Sequence, residues 1–329
     1  MTLPFRQVDV FADEPFLGNP LAVVHDADGL TTDQMRRLAQ WTNLSETTFL
    51  MRPSDERADY RVRIFSLSRE LPFAGHPTLG TCHAWLEAGG SPRQPGTVVQ
   101  ECGAGLVEVR CEPGGLAFAA PPLLRSGPVE ESLVEEIAAI LGIGRGDIMD
   151  AQWVDNGPGW VAVLLDSAQA VLAVKPGYCP HDLGVVGPYP AGSPQALEVR
   201  AFFPKDGATT EDPVTGSLNA SLAHWLLGTG RVTAPYVASQ GTALGRRGRV
   251  RVSADDEQRI WIGGATTTLI TGTVSVAVLR FRSSGPFRPI LGFGTVGILR
   301  QHATEIIEHL IHKIGTSISL MIFIRCYLG

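Results

Sequence analysis

Three side chains suited to moving protons stand in short, distinctive contexts: Glu46 in Ser45-Glu46-Thr47-Thr48-Phe49, His76 in Ala74-Gly75-His76-Pro77-Thr78, and Asp212 in Glu211-Asp212-Pro213-Val214-Thr215. An imidazole and two carboxylates exchange protons near neutral pH once burial lifts a carboxylate above its ordinary value of about 4. Such a set does acid/base work on a carbon acid using side chains alone. The sequence carries no Walker lysine motif and no H-E-x-x-H, so neither a cofactor nor a metal is expected.

Each residue also has a plainer structural reading. Asp212 ahead of Pro213 reads as an N-cap, and Glu46 as the N3 partner of Asn43 in an N-x-x-E capping box. His76 reads as a polar turn residue. His83 lies seven positions further on, and two histidines fall short of a metal ligand set. Ser217 reads as a first-turn hydroxyl bonded back to a carbonyl. As a nucleophile it would need a paired base and a G-x-S-x-G elbow, which Thr215-Gly216-Ser217-Leu218 does not provide.

The elements that must position these groups follow from periodicity. Helical spacing appears over 32–41, 76–88, 131–141 and 212–227. Strands are expected over 5–11, 21–24, 47–51, 60–65, 98–100, 106–111, 160–165, 197–203, 249–252 and 260–263. The 37 glycines and 23 prolines are spread between these runs as turn punctuation rather than gathered in one linker.

The chain also repeats itself. His76-Pro77-Thr78-Leu79-Gly80-Thr81 matches Asp212-Pro213-Val214-Thr215-Gly216-Ser217 at an offset of 136, and Arg63-Ile64-Phe65 matches Arg200-Ala201-Phe202 at an offset of 137. Asn19-Pro20-Leu21-Ala22-Val23 resembles Gly157-Pro158-Gly159-Trp160-Val161-Ala162-Val163 at a similar displacement. Three matches in the same order point to two similarly folded halves, with the boundary near Ala119-Ala120-Pro121-Pro122. In each half a proline sits where a helix begins, a position that needs no N–H. Two helix starts facing one cleft would hold an anion, most simply a carboxylate.

Composition excludes other classes. At 329 residues and 44% hydrophobic the chain has material for two cores. The net charge of −6, with the Arg246, Arg247, Arg249, Arg251 run alternating as a strand's solvent face, gives no nucleic-acid surface. Five cysteines (Cys82, Cys102, Cys111, Cys179, Cys326) form no C-x-x-C pair and imply a reducing, cytoplasmic setting. No export signal or membrane span is expected from the apolar runs.

Together, Gly18-Asn19-Pro20-Leu21-Ala22-Val23, Leu44-Ser45-Glu46-Thr47-Thr48-Phe49, Leu71-Pro72-Phe73-Ala74-Gly75-His76-Pro77-Thr78-Leu79-Gly80 and Glu211-Asp212-Pro213-Val214-Thr215-Gly216-Ser217 resemble the phenazine-biosynthesis-like (PhzF) family, over roughly residues 1–282. The resemblance implies an α+β fold of two pseudo-symmetric diaminopimelate epimerase-like domains, each a mostly antiparallel, barrel-like sheet around a central helix. It places an N-terminal domain at 1–120, closed by a returning strand at about 270–281, and a C-terminal domain at 121–269. It implies a homodimer acting on a small carboxylate. Glu46 then matches the acid/base glutamate, His76 and Asp212 the residues assisting proton transfer, and Gly75, Gly216 and Ser217 the region holding the substrate carboxylate. The related epimerases use two cysteines as their acid/base pair. Here Gly75-His76 and 212–217 carry no thiol and Cys82 lies deeper in its helix, so a two-thiol racemase is not expected.

The function implied is a cofactor-independent isomerase that moves a proton between carbons, with dihydro-hydroxyanthranilate as one possible substrate. The alternative is a non-catalytic protein that uses the same cleft to bind a small acid. The tail, 282–329, departs from the resemblance: Ile298, Leu299, Ala303, Ile306, Ile307, Leu310, Ile311 and Ile314 follow helical spacing, and 317–324 reads as an apolar strand.

Overall fold

Alternating β-rich runs and two largely buried helical segments build one mainly antiparallel sheet with two helices enclosed in its curl. The computed structural model describes residues 1–276. The helix and strand expected in 282–329, and Cys326, lie outside the described residues. The first half of the chain supplies β1 (Thr2–Val10), β2 (Asn19–Val24), α1 (Thr32–Thr42), β3 (Glu46–Met51), β4 (Tyr60–Ser66), β5 (Glu70–Leu71), α2 (Gly75–Glu87), β6 (Thr97–Cys102), β7 (Gly105–Glu112) and β8 (Gly115–Ala119). The second supplies β9 (Arg125–Pro128), α3 (Glu131–Leu141), β10 (Asp150–Asp155), β11 (Val161–Leu164), α4 (Ala168–Ala173), β12 (Leu183–Pro188), β13 (Leu197–Lys205), β14 (Ala208–Asp212), α5 (Gly216–Gly228), β15 (Tyr236–Gln240), β16 (Gly248–Ala254), β17 (Ile260–Gly264) and β18 (Thr266–Ser275).

Strand order shows the internal repeat directly. One half runs β18-β1-β2-β3-β4-β6-β7-β8. The other runs β9-β10-β11-β12-β13-β15-β16-β17. The two parallel pairings fall at the same places in both halves: β2 with β3 and β4 with β6, then β11 with β12 and β13 with β15. The halves join where β8 pairs antiparallel with β17. After β17 the chain crosses back, and β18 lies against β1. Among the described residues β18 pairs only with β1 and β9 only with β10, so the expected barrel-like curl is an open sheet with these two strands at its edges.

The central helices have no wide charged face and mix apolar, small and hydroxyl side chains around their circumference, the pattern of a helix buried on most sides. On α2, the residues from Gly75 to Cys82 are all buried; on α5, Leu218 to Ala223 are. One apolar cluster spans both halves through Leu79, Phe118, Leu218, Leu222 and Ile262. The outer helices show one apolar face instead. In α1, Met35 and Ala39 pack on Phe49 and Phe65, and Thr31 with Gln34 closes a capping box at its start.

The register of two hairpins corrects the repeat. In the first half Ile64 faces Leu71 and Phe65 faces Glu70; in the second, Ala201 faces Asp212 and Phe202 faces Glu211. Leu71-Pro72 is therefore the counterpart of Asp212-Pro213, and Gly75 that of Gly216. The offset of 137 holds at Arg63 and Arg200, and becomes 141 beyond the turn because the second hairpin is four residues longer. Matching His76-Pro77 to Asp212-Pro213 was thus five residues out of register, since a shared proline dipeptide outweighed the longer turn. The true counterpart of His76 is Ser217.

Candidate active site

The two central helices meet at their first residues. A Cβ placed on Gly75 would lie 2.9 Å from the Cα of Gly216, so only two glycines allow this approach. The N-caps, Ala74 and Thr215, make no side-chain capping bond. Both helices therefore present N–H groups with no side-chain cap at one place, with the positive ends of their dipoles. That arrangement suits an anion.

Glu46 opens β3, the strand next to β2, and this brings its carboxylate over the start of α2. Its Oε2 is 3.4 Å from His76 Nε2. The capping-box reading of Glu46 fails, because Asn43 ends α1 in the left-handed region at φ 56 rather than starting a helix. Burial, and then the negative charge of Asp212, pushes Glu46 up to about 8. Burial pushes His76 down to about 3. Near pH 7 the contact is accordingly between a neutral imidazole and a mostly protonated acid, not an ion pair.

Asp212 does not begin α5, contrary to the expected helix over 212–227. It ends β14, and the helix starts at Gly216 behind Thr215. Extended pairing with Ala201 holds Asp212 out of the helix and turns it toward the first half. Its Oδ2 accepts from Thr215 Oγ1 at 2.6 Å and its Oδ1 from Asn19 Nδ2 at 3.1 Å. Burial raises Asp212 to about 6 despite these two bonds, which lower it. Glu46, His76 and Asp212 thus share one buried neighbourhood, with Asn19 between His76 and Asp212.

Ser217, the second residue of α5, has its Oγ bonded by Trp160 Nε1 at 3.1 Å and its carbonyl by Asn156 Nδ2 at 2.9 Å. An indole N–H only donates, so it offers no base to a nucleophilic serine. The accepted bond leaves the hydroxyl proton free to be donated. His83 sits apart from this group, with Nε2 3.1 Å from Thr268 Oγ1.

Several supporting residues carried no assigned role in the sequence. Asn19 and Thr215 lie inside the quoted motifs and could have been marked as buried amide and hydroxyl partners. Trp160 lies inside the quoted repeat match but gave no sign of a polar contact, and Gln240 lies in no quoted motif. Gln240, on β15, accepts from Thr215 N and donates to Thr215 Oγ1 and the Asp212 carbonyl. It locks the segment that carries Asp212.

The model of the phenazine biosynthesis-like protein family, PhzC-PhzF, matches residues 8–272. Antisense-enhancing sequence 1 of Schizosaccharomyces pombe is 35% identical over 291 residues, 82% of this chain and 97% of the relative. Trans-2,3-dihydro-3-hydroxyanthranilate isomerase of Pseudomonas aeruginosa is 35% identical over 257 residues, 75% of this chain and 89% of the relative. Among solved structures, the PhzF-family phenazine biosynthesis protein of Bacillus anthracis superposes with a TM-score of 0.72 at 24% identity, over 84% of this chain and 100% of the other. The two epimerase-like halves expected above are the fold of these neighbours. The chain belongs to the phenazine biosynthesis-like (PhzC-PhzF) family of isomerases.

Proposed function

We propose that Glu46 takes a proton from one carbon of a small carboxylate and returns it to another carbon of the same molecule, without a cofactor. The observation that carries this reading is a carboxylate held at about 8, 3.4 Å from a neutral imidazole, beside two helix starts without side-chain caps. A group with that affinity for protons both accepts and donates near neutral pH. At pH 7 about one molecule in ten holds Glu46 ionised and ready as the base. The ends of α2 and α5, together with the Ser217 hydroxyl, hold the substrate carboxylate and the charge spread from the carbanion-like state. His76 donates from Nε2, and Asp212 holds a negative charge that keeps the Glu46 proton affinity high. A homodimer in the cytoplasm belongs to the same reading.

The compound to try first is trans-2,3-dihydro-3-hydroxyanthranilate, named for the Pseudomonas relative. The test is incubation in deuterium oxide with mass spectrometry of the product. Deuterium uptake and isomerisation by the native chain, both lost in Glu46→Gln, support the proposal. Full turnover by Glu46→Gln overturns it. Binding of candidate acids with neither exchange nor isomerisation shows a small-acid sensor instead.

A further inference from the structure

Asn19 opens β2 and is fully buried, and its amide nitrogen faces three acceptors from both halves of the molecule. It lies 2.9 Å from the Val214 carbonyl, 3.1 Å from Asp212 Oδ1 and 3.4 Å from His76 Nδ1. The opposite orientation of the amide would point its oxygen at a carbonyl and a carboxylate, replacing two bonds with two repulsions. The amide orientation is therefore determined, and its oxygen has no partner among the described residues.

We infer that Asn19 is a positioning residue that sets the tautomer of His76, holding the ring neutral with its single proton on Nε2. An amide NH2 only donates, and its two hydrogens are shared among these three neighbours, so a proton on Nδ1 would find no acceptor in the amide; in a neutral imidazole the proton then resides on Nε2. A second proton on Nδ1 would face the amide hydrogens head-on. Nε2 has no hydrogen-bond partner among the described residues, and the nearby charged-group atom is Glu46 Oε2. The result is a donor aimed at the place where Glu46 works, available to an anion that forms there. The same amide ties Asp212 to the first half, so one side chain couples the settings of two groups on opposite sides of the cleft.

The inference builds on the proposed function, but its test does not depend on turnover. Long-range 1H–15N correlation spectra of the full chain, labelled at histidine and assigned with His76→Gln, report the tautomer at pH 7. The expected result is a protonated Nε2 and a bare Nδ1 in the native chain. In Asn19→Asp the neighbour becomes an acceptor, and the proton is expected on Nδ1 or on both nitrogens. In Asn19→Ala the preference for Nε2 is expected to weaken, and kcat to fall about a hundredfold with KM changed little. A native Nδ1–H tautomer or a native imidazolium overturns the inference on its own, even if neither variant folds. So does an unchanged Nε2–H tautomer in a folded Asn19→Asp chain.

Discussion

Gly75 and Gly216 stand so close that a Cβ on either residue would lie 2.9 Å from the Cα of the other. This contact fixes how near the starts of α2 and α5 come, and so the size of the proposed anion site between them. Gly75→Ala and Gly216→Ala must push backbone against backbone. Each is expected to cost about 1–3 kcal/mol in urea unfolding and to raise KM for a carboxylate substrate more than it lowers kcat. Unaltered stability and KM in both variants would show that the two helix starts do not form one site.

The pH dependence follows from the order of the two acids. If ionised Glu46 is the base, kcat/KM rises with pH through about 8. Asp212 contributes by repulsion, so Asp212→Asn removes a like charge and moves this limb to lower pH. A pH–rate profile of both proteins, or titration of Glu46 by carboxyl 13C NMR where the variant turns over slowly, reads the shift. A limb that stays put or moves upward contradicts the coupling.

Glu46 also links stability to pH. Its folded value of about 8 lies above the ordinary 4.5, so the folded state favours the protonated acid. The benefit is complete below about 4.5 and is lost as pH rises through about 8. Glu46→Gln lacks this loss. Compared with the native chain it is expected to gain stability between pH 5 and pH 9, on the order of a few kcal/mol, because a carboxylate with 17% of its side chain exposed is partly solvated. Thermal melts across that range check the sign, and a variant with no relative gain at pH 9 rules the linkage out.

The repeat places equivalent ion pairs in different surroundings. Arg200 and Glu211 are 7% and 10% exposed, and Arg200 Nη1 also bonds the carbonyls of Val171 and Val174 behind α4. Arg63 and Glu70 are 20% and 40% exposed. Removing one partner of the buried pair leaves an uncompensated charge. Glu211→Ala is expected to cost about 3–5 kcal/mol, whereas Glu70→Ala costs about 1 kcal/mol or less. Equal losses in denaturant titrations would mean that burial does not separate the two pairs.

The three side chains that the structure gathers at one buried place, Glu46, His76 and Asp212, could be singled out because their contexts are short and local: Ser45-Glu46-Thr47, Gly75-His76-Pro77 and Glu211-Asp212-Pro213. The helix over 76–88 was legible from its spacing, while its place at the centre of the sheet was expected only from the family resemblance. The start of α5 was not, because a proline after an aspartate signals a helix start whether the residue caps a helix or ends a strand. Only the register with Ala201 distinguishes the two.

Amino-acid order by itself determined which groups are present and that they come in two related halves, because side-chain type and periodicity are local properties of the chain. Tertiary structure decided that Ser217 answers to His76, that Asn19 reaches across to Asp212, and that Glu46 holds its proton more tightly than Asp212. Those outcomes depend on distance and on the water removed around each group, and both arise only when residues far apart in the chain are brought together.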